Sequence, residues 1–325
     1  MKTNAIRIHE YGGPEVLRWE EIDVPEPAAG EASIRHTAIG LNFIDTYHRT
    51  GLYPVDLPTG LGREAAGVVE SLGAEAGDVA VGDRVVYTGG RLGSYSERRT
   101  LDASGLVPIP DFITDELAAA VFTKGLTAWY LLHRSYPVQK ADTILLYAAA
   151  GGVGSIASQW AKRLGATVIG IVGTPEKAEL AQAQGCDHIL MADDTDIPGM
   201  VRELTGGVGV AAVYDSVGRD TFMTSLDCLR PHGTLVTFGN ASGAVAPFAP
   251  AELAKRGSLY VTRPILEHFV ATRAELLDAA NTLFTFIREG EPHIRIGQTY
   301  ALRDAAQAHR DLEARKTTGS TILLP

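Results

Sequence analysis

The stretch 143-TILLYAAAGGVGSIASQWAKRLGATVIGIVGTPEK-177 joins a short apolar run, a turn of small residues and glycines, an amphipathic segment and a second apolar run. The spacing Ala149-x-Gly151-x-x-Gly154, between a predicted strand and a predicted helix, fits a dinucleotide-binding fingerprint. Gly151 lets backbone approach a pyrophosphate, and Gly154 lets the helix pack closely on the strand. The helix N-terminus favours the negative charge of a phosphate. The stretch therefore predicts a nucleotide-binding βαβ unit.

The sequence around this unit predicts an α/β chain with two kinds of domain. From about Leu126, apolar strands alternate with amphipathic helices, which predicts a doubly wound parallel sheet, or Rossmann domain. Before about Leu106, short alternating runs separated by glycine and proline turns predict a β-rich domain. The last predicted strand, Thr321–Leu324, has no helix after it, so we expect it to return to the β-rich domain. The predicted strands of the parallel sheet are Thr143–Ala149, Thr167–Val172, His188–Met191, Val210–Asp215, Gly233–Phe238 and Ser258–Thr262.

The overall composition narrows the class of protein. A formal net charge of -10 over 325 residues disfavours a protein whose main partner is nucleic acid. Two cysteines, Cys186 and Cys228, cannot build a disulfide framework or a cysteine-rich zinc site, and their scarcity fits a reducing compartment. The first residues lack the apolar segment of an export signal, and no apolar run reaches membrane-spanning length. We therefore expect a cytoplasmic protein without a membrane or nucleic-acid partner.

The end of the second strand indicates which dinucleotide is bound. An acidic residue about 20 residues after the glycines would bind the ribose hydroxyls of NAD, but Gly173 stands at that strand end. Thr174 is a predicted N-cap, Pro175 the first helical residue, and Lys177 lies in the first turn. The missing carboxylate and the nearby lysine suit the 2′-phosphate of NADPH, although Lys177 taken alone also fits an ordinary solvated helix lysine.

Further segments carry a resemblance to a known family. They are GLNFIDTYHRTGLYP (40–54), GREAAGVV (62–69), VGDRVVY (81–87), KGLTAWYLL (124–132), AAGGVG (149–154) with Gln159 and Lys162, YDSVG (214–218), FGNASG (238–243) and SLYVTRP (258–264). Over its whole length the chain resembles the zinc-independent, zeta-crystallin-like quinone oxidoreductases of the medium-chain dehydrogenase/reductase superfamily, and among them the bacterial NADPH:quinone reductases. The resemblance implies a GroES-like catalytic domain (residues 1–125 and 265–325) and a Rossmann NADPH-binding domain (residues 126–264).

The same resemblance implies a site without a metal ion. Asn42 stands where zinc alcohol dehydrogenases have a ligating cysteine, Gly62-Arg63-Glu64 replaces their GHE motif, and their four-cysteine lobe is absent. Hydride delivery to a simple ketone makes an alkoxide about as basic as hydroxide and calls for a Lewis acid. A quinone instead gives a phenolate with a pKa of about 10, like tyrosine, which water can protonate. The expected substrate is a quinone, with semiquinone or hydroquinone as the product.

The resemblance also assigns roles to individual residues. Asn42, Tyr47 and Tyr53 are expected in the cleft where nicotinamide meets substrate, with Asn42 bonding the ribose or a substrate carbonyl. Ring packing is the alternative role for Tyr53, and Asp45 is expected to bond backbone in its own loop. The expected cofactor-binding residues are Asn42, Thr127, Gly151, Gly152, Val153, Gly173, Thr174, Lys177, Ser216, Gly218, Phe238, Gly239, Asn240, Arg263 and Arg315.

Alternatives stay open for several of these residues. Thr127 also fits an ordinary helix threonine, Arg263 an interdomain salt bridge, and Arg315 a solvated helix end. Asp193 and Asp194 stand where bacterial relatives commonly carry a tyrosine and a base, which predicts weaker discrimination between NADPH and NADH.

Two other functions are alternatives to quinone reduction. Reduction of an activated alkene, such as an enone or alkenal, also avoids a free alkoxide. Binding of AU-rich RNA in competition with NADPH is known among zeta-crystallin relatives, but the net acidity and the absence of a basic run with interleaved aromatics argue against it. The family resemblance further implies a homodimer or homotetramer that pairs through the fifth and sixth strands of the nucleotide-binding domain.

Overall fold

The computed structural model describes residues 1–290 and 292–325. Contacts between Cα atoms divide the chain into two units. The first comprises Met1–Lys124, Thr272–Phe284 and Ile294–Pro325, and the second comprises Gly125–Ala271 and Thr285–His293. In the described part of the chain, no helix is both long and apolar enough to cross a bilayer.

The first unit is rich in β-structure, as the short alternating runs predict. One sheet has the strand order β2-β1-β4, and a larger sheet has the order β15-β16-β3-β5-β6-β8, with β7 paired to β3. Two strands of the larger sheet, β15 (Ile296–Ala301) and β16 (Ser320–Leu324), come from the end of the chain. Its elements before the nucleotide-binding stretch are β1 (Lys2–Ile8), β2 (Arg18–Asp23), β3 (Glu31–Leu41), α1 (Phe43–Thr50), β4 (Thr59–Gly60), β5 (Glu64–Leu72), β6 (Arg84–Thr88), β7 (Arg98–Asp102), β8 (Val107–Pro108) and the start of α2 (Asp115–Tyr130).

The second unit is a doubly wound parallel sheet with the strand order β11-β10-β9-β12-β13-β14, which confirms the predicted Rossmann architecture. The order reverses between β9 and β12, and ligands of such sheets bind beside that point, at the carboxyl ends of the strands. The elements are β9 (Thr143–Tyr147), α3 (Gly152–Arg163), β10 (Thr167–Val172), α4 (Pro175–Ala183), β11 (His188–Met191), α5 (Ile197–Leu204), β12 (Val210–Asp215), α6 (Phe222–Asp227), β13 (Leu229–Thr237), α7 (Ala251–Lys255) and β14 (Tyr260–Thr262).

Four strand boundaries in this sheet differ from the prediction: the end of β9, both ends of β13 and the start of β14. β13 ends at Thr237 rather than at Phe238, and β14 begins at Tyr260 rather than at Ser258, since Ser258 has a left-handed φ of 58°. β9 ends at Tyr147, because Ala148 turns with a φ of 53°. β13 begins at Leu229 rather than at Gly233, because residues 230–233 form a bulge: Leu229 pairs with Val210, and the next pair is Thr234 with Ala212. The turn residues before Gly233 therefore mark an irregularity inside a strand rather than its start.

The chain ends in the first unit, as predicted. The T-x-x-E pattern caps α8, since the Thr272 N–H donates to Glu275 Oε2 at 2.9 Å and the Glu275 N–H donates to Thr272 Oγ1 at 3.2 Å. The last strand pairs antiparallel with β3, with Leu323 opposite Ile39. The remaining elements are α8 (Arg273–Gly290), β15 (Ile296–Ala301), α9 (Ala305–Glu313) and β16 (Ser320–Leu324).

Each unit has its own apolar core. In the second unit, all six residues of β12 are buried, as expected for a central strand of a parallel sheet that is covered on both faces. Its core includes Leu145 and Ile169 on neighbouring strands. In the first unit, Ile34 and Ile39 from β3 pack in one cluster with Leu323 from the last strand. Each core holds the loops at its strand ends in fixed positions, and those loops carry the predicted site residues.

Candidate active site

The glycine turn of the second unit lies between β9 and α3. Gly151 is the N-cap of α3, and its N–H donates to the Ala148 carbonyl at 2.8 Å. A Cβ on Gly154 would lie 2.2 Å from that same carbonyl oxygen, so the helix packs on the strand at a distance that only glycine permits. The first N–H groups of a helix have no intrahelical acceptor. Gly152 and Val153 therefore present backbone donors at the sheet edge, as the fingerprint predicts.

The next strand end carries the predicted recognition site for the adenosine phosphate. Thr174 caps α4, and its side chain accepts the Lys177 N–H at 3.3 Å. Among the described residues, no atom would lie within 4 Å of a Cβ on Gly173, so the space beside this strand end is open. The sequence prediction of an N-cap followed by a helix-starting proline is confirmed here.

The two acids after the third strand have different surroundings. Asp194 Oδ2 accepts the Met191 N–H at 2.7 Å, so this carboxylate stabilises its own turn. Asp193 is exposed. Of the two acids, Asp194 is therefore hydrogen-bonded within its own turn, whereas Asp193 faces solvent.

A buried aspartate organises the ends of β12 and β13. Asp215 is fully buried, and Oδ1 accepts the N–H groups of Val217 and Gly218 at 2.8 and 3.1 Å. Oδ2 accepts the hydroxyls of Thr221 at 2.7 Å and Ser225 at 2.9 Å. Four donors thus fix the turn that carries the predicted residues Ser216 and Gly218.

The neighbouring turn of β13 lies against the turn after β12. A Cβ on Gly239 would lie 2.2 Å from the Ser216 carbonyl oxygen, and the Phe238 N–H donates to the Asp215 carbonyl at 2.8 Å. Arg263 reaches the same strand end, where its Nη1 donates to the Thr237 carbonyl at 3.0 Å. The structure therefore brings five predicted residues together with Arg263: Ser216, Gly218, Phe238, Gly239 and Asn240.

Two further predicted residues lie in other elements. Thr127 is half-buried on α2. Arg315 follows α9 with a left-handed φ of 58°, and it belongs to the first unit, whereas the glycine turn belongs to the second. Their assignment to the cofactor stays a prediction.

In the first unit, Asn42 is fixed by two carboxylates. It is the N-cap of α1, and its backbone N–H donates to Asp45 Oδ2 at 3.0 Å, so Asp45 bonds local backbone as predicted. The Asn42 side-chain amide is buried and donates from Nδ2 to Glu64 Oε2 at 2.7 Å. The other oxygen of Glu64 accepts the Thr123 N–H at 2.6 Å, and Lys124 Nζ lies 3.7 Å from Glu64 Oε2.

The two predicted tyrosines form an aromatic group on α1 and the turn after it. Tyr47 is buried, and its ring centroid lies 5.2 Å from that of Tyr53 in an edge-on arrangement. The Tyr53 ring also lies 5.9 Å from His48, so the ring packing considered for Tyr53 is present. Asn42, Tyr47 and Tyr53 are thus grouped at one end of the first unit.

A chain of buried hydrogen bonds joins α1 to other parts of the first unit. Arg49 Nη1 lies 3.0 Å from His309 Nδ1. Because an arginine side chain can only donate, Nδ1 accepts this hydrogen bond. The neutral His309 ring therefore carries its proton on Nε2. His309 Nε2 lies 3.1 Å from the Tyr95 hydroxyl, which donates to Asp45 Oδ2 at 2.8 Å. Arg49 also pairs with Glu313 at 2.6 Å.

Burial shifts the pKa values of three groups in this hydrogen-bond chain, Asp45, His309 and Tyr95. Desolvation raises the pKa of Asp45 to about 6 and lowers the pKa of His309 to about 3. The hydroxyl of Tyr95 is buried beside Asp45, which moves its pKa well above its usual value. Among the described residues Asp45 Oδ1 has no hydrogen-bond partner, which is consistent with a carboxyl whose ionised form is poorly solvated.

Several residues that build this region have no predicted role. Glu64, Lys124 and Asp215 stand in the quoted motifs without a role of their own, and Tyr95 and His309 stand outside them. Glu64 and Asp215 do carry a signal, because Glu64 opens the apolar run that continues to Val69 and Asp215 ends the apolar strand β12. Tyr95 and His309 carry none, since they lie 214 positions apart and meet only in the fold.

The side chains of the described residues do not form a metal-binding group: no three His, Cys, Asp or Glu residues are placed to hold a metal ion. At the position that resembles a ligand position in zinc alcohol dehydrogenases, an amide bonds to a carboxylate instead. Cys186 and Cys228 are free and buried, and burial raises the pKa of each thiol to about 12.

Comparison with known proteins matches both units. A zinc-binding dehydrogenase family model matches residues 152–279, and an alcohol dehydrogenase GroES-like domain model matches residues 28–111. A quinone oxidoreductase of Pseudomonas aeruginosa is 51% identical over 99% of this chain and 100% of its own length. The crystal structure of Escherichia coli quinone oxidoreductase complexed with NADPH has a TM-score of 0.97 and 47% identity, covering 99% of this chain and 100% of that chain. A 2-haloacrylate reductase of a Burkholderia species is 45% identical over 99% of this chain and 98% of its length.

Proposed function

The chain belongs to the quinone oxidoreductase family, and from this premise we propose that it oxidises NADPH and reduces a quinone at a site that needs no metal ion. The observation that carries the proposal is the Asn42–Glu64 pair. At the position where zinc enzymes of the superfamily have a ligand, this chain has an amide whose nitrogen donates to a buried carboxylate at 2.7 Å. An amide committed in this way is a poor ligand for zinc, which prefers thiolate, imidazole or free carboxylate.

The second unit fits NADPH. The N–H groups of Gly152 and Val153, together with the close turn at Gly151, would hold the pyrophosphate at the N-terminus of α3. The open space at Gly173, the capped start of α4 and the charge of Lys177 would hold the 2′-phosphate. Ser216, Gly218, Phe238, Gly239, Asn240 and Arg263 lie at neighbouring strand ends, where they would contact the rest of the cofactor. We keep Thr127 and Arg315 as further contacts by family resemblance.

The first unit fits a flat substrate whose product is a weak base. NADPH supplies a hydride when it is bound. Tyr53 is half-buried and offers an aromatic surface on which a quinone ring can pack, and the buried Tyr47 ring supports it edge-on. The phenolate that forms has a pKa of about 10 and takes its proton from water, so no residue of the chain has to act as a strong acid. This agrees with Asn42, Tyr47 and Tyr53, none of which is a strong general acid at neutral pH.

An activated alkene is an alternative substrate class, because its reduction, like that of a quinone, avoids a free alkoxide. The 2-haloacrylate reductase at 45% identity shows that a related chain acts on such a substrate. We favour quinones because three relatives named quinone oxidoreductase are more similar to this chain than the 2-haloacrylate reductase is, at 51%, 49% and 47% identity.

We further propose a cytoplasmic homodimer or homotetramer. The two unpaired thiols fit a reducing compartment. Strand β14 is the last strand of the parallel sheet, and Tyr260 on it is 62% exposed. A second copy paired along this edge would cover it.

The experiment that tests the proposal is a substrate panel under steady-state conditions. NADPH oxidation is measured with 1,4-benzoquinone, a naphthoquinone, an enone, 2-chloroacrylate and a simple ketone, and repeated with NADH. We expect turnover with both quinones, a lower KM for NADPH than for NADH, and no turnover with the ketone. Turnover restricted to the enone or to 2-chloroacrylate would contradict quinone reduction and assign the chain to alkene reduction.

A further inference from the structure

Lys124 and Glu64 are buried charges that the proposed reaction does not use directly. The Glu64 side chain has no exposed surface, and that of Lys124 is 7% exposed. Among the described residues Lys124 Nζ has no hydrogen-bond partner, and its nearest acid is Glu64 at 3.7 Å. Burying two charges costs several kcal/mol per ion unless they compensate each other. A pair that is retained despite this cost calls for a role beyond stability.

The fold makes room for this carboxylate. A Cβ on Gly40 would lie 2.2 Å from Glu64 Oε2 and 2.4 Å from the Ala119 carbonyl oxygen. Any residue other than glycine at position 40 would therefore displace either the carboxylate or α2. Glu64 Oε1 is fixed independently by the Thr123 N–H at 2.6 Å.

The carboxylate determines how the Asn42 amide is oriented. A carboxylate can only accept hydrogen bonds, so the atom of Asn42 that faces Glu64 Oε2 at 2.7 Å has to be Nδ2. The Asn42 carbonyl oxygen, Oδ1, then points away from Glu64. It faces the backbone N–H of Asp45 in the capping box of α1, and its second lone pair is left for a further hydrogen-bond donor. A ribose hydroxyl is such a donor, whereas a quinone carbonyl only accepts. This orientation therefore selects the cofactor rather than the substrate as the partner of Oδ1.

We propose that Glu64 and Lys124 are positioning residues for NADPH: the Lys124 ammonium compensates the buried Glu64 carboxylate, and the carboxylate holds the Asn42 amide with its oxygen toward a ribose hydroxyl. This inference rests on the proposed function, because it assigns Asn42 to the cofactor. The other charged or titratable groups near Glu64 are Asp45 and Tyr95, which couple to it electrostatically, with Arg49 beyond Tyr95.

The decisive variant is Glu64→Gln. The Thr123 N–H at 2.6 Å requires an acceptor, so the glutamine oxygen takes that place and its NH₂ group faces Asn42. The Asn42 amide then has to turn over and present Nδ2 instead of Oδ1. We expect the Kd of the cofactor-free protein for NADPH, measured by fluorescence titration, to rise about tenfold, because the ribose hydroxyl then has to accept from Nδ2 and its own proton loses the Oδ1 acceptor. The KM for 1,4-benzoquinone should stay within about twofold.

Two further variants separate positioning from stability. Glu64→Gln alone leaves the Lys124 ammonium uncompensated, which lowers the thermal unfolding midpoint. The double variant Glu64→Gln/Lys124→Met removes both charges, so the midpoint should recover while NADPH binding stays weak. Adding Asn42→Ala to this double variant should cause no further loss relative to Asn42→Ala alone, because Glu64 acts through Asn42. Glu97→Gln is the matched control, since Glu97 accepts the Asn4 amide at 3.2 Å in the same unit.

Three results would overturn the inference: wild-type NADPH affinity in the double variant, a loss of affinity that is fully additive to that of Asn42→Ala, or a raised quinone KM with an unchanged NADPH Kd. A wild-type protein that does not bind NADPH would instead overturn the proposed function, and this inference with it.

Discussion

The predicted binding residues of the two units are held in different ways. At the sheet edge of the second unit, backbone makes the site: glycines allow close approach, and the N-terminus of α3 presents N–H groups. In the first unit, side chains make the site: Asn42 is held by Glu64, and α1 is held by a chain from Asp45 to His309. A backbone site depends on space, whereas a side-chain site depends on charge and protonation. Substitutions in the two units should therefore have different effects: added bulk should disrupt the second unit, and a change of charge or protonation should disrupt the first.

The largest effect is expected from adding bulk at the glycine turn. In Gly154→Val, the new Cβ would lie 2.2 Å from the Ala148 carbonyl oxygen, so α3 has to move away from β9. Overpacking of this kind costs about 1–3 kcal/mol of unfolding free energy. NADPH affinity should fall at least about one-hundredfold, since the displaced N–H groups no longer meet the pyrophosphate. Urea unfolding and NADPH titration measure both effects.

Gly105→Ala is the control for this change, because among the described residues no atom lies within 4 Å of its Cβ position. Its stability and affinity should match those of the wild type. Unchanged NADPH binding by Gly154→Val would show that the turn does not hold the cofactor.

The second prediction concerns Asp215, the side chain that fixes the turn after β12 in the backbone site. Asp215→Ala removes both acceptor oxygens, so the N–H groups of Val217 and Gly218 and the hydroxyls of Thr221 and Ser225 lose their acceptor. We expect a loss of about 2–6 kcal/mol in unfolding free energy, at about 1–3 kcal/mol for each of the two backbone donors left unpaired. Asp215→Asn should lose less, because its amide can donate to the two hydroxyls while its oxygen still accepts the two N–H groups. Ser216→Ala, at the next position, should have little effect on stability. Equal stability of Asp215→Ala and the wild type would contradict this role of Asp215.

The third prediction concerns the dependence of stability on pH that two buried groups of the first unit contribute. The pKa of Asp45 is raised from 3.8 to about 6, so the folded state retains a proton that the unfolded state releases, and stability falls as the pH rises from about 4 to about 6. The pKa of His309 is lowered from 6.5 to about 3, so the unfolded state gains a proton first, and stability falls as the pH drops below about 6.5.

Two isosteric variants separate these opposite slopes. Relative to the wild type, Asp45→Asn should gain stability as the pH rises from about 4 to about 6, and His309→Gln should gain stability as the pH falls from about 6.5. Each slope should approach about 1.4 kcal/mol per pH unit for one proton. Urea unfolding at several pH values checks both, and differences that do not vary with pH would contradict the buried titration of these two groups.

The smallest effect is expected at Lys177, the charged side chain that is assigned to the 2′-phosphate. Lys177→Met should weaken NADPH binding about tenfold and leave NADH binding unchanged, because only NADPH carries the 2′-phosphate. Asp193→Asn should move the preference slightly the other way, since Asp193 is the exposed acid of the following loop. Equal losses for both cofactors would show that Lys177 acts on the helix rather than on the phosphate.

The contrast between the backbone site of the second unit and the side-chain site of the first explains which features the sequence could predict. The glycine turn, the N-cap at Thr174 and the capping box at Thr272 are local patterns, and the structure confirms each of them. The Glu64–Lys124 pair joins residues 60 positions apart, and its meaning depends on burial and on the Asn42 amide that it faces. Spacing along the chain does not encode such contacts.

The irregularity in β13 has a related cause. The sequence places a turn before Gly233, but neighbouring strands in the sheet extend the ladder on both sides of it. Tertiary pairing overrides the local turn signal there.

The central claim is that this chain reduces quinones with NADPH and without a metal ion. The measurement that tests it most directly is quinone-dependent NADPH oxidation after exhaustive chelation, with bound metal quantified in the same sample. We predict full turnover of 1,4-benzoquinone at less than about one metal ion per hundred chains, with no change when Zn²⁺ is added. Turnover that is lost on chelation and restored in proportion to the added Zn²⁺ would contradict the account.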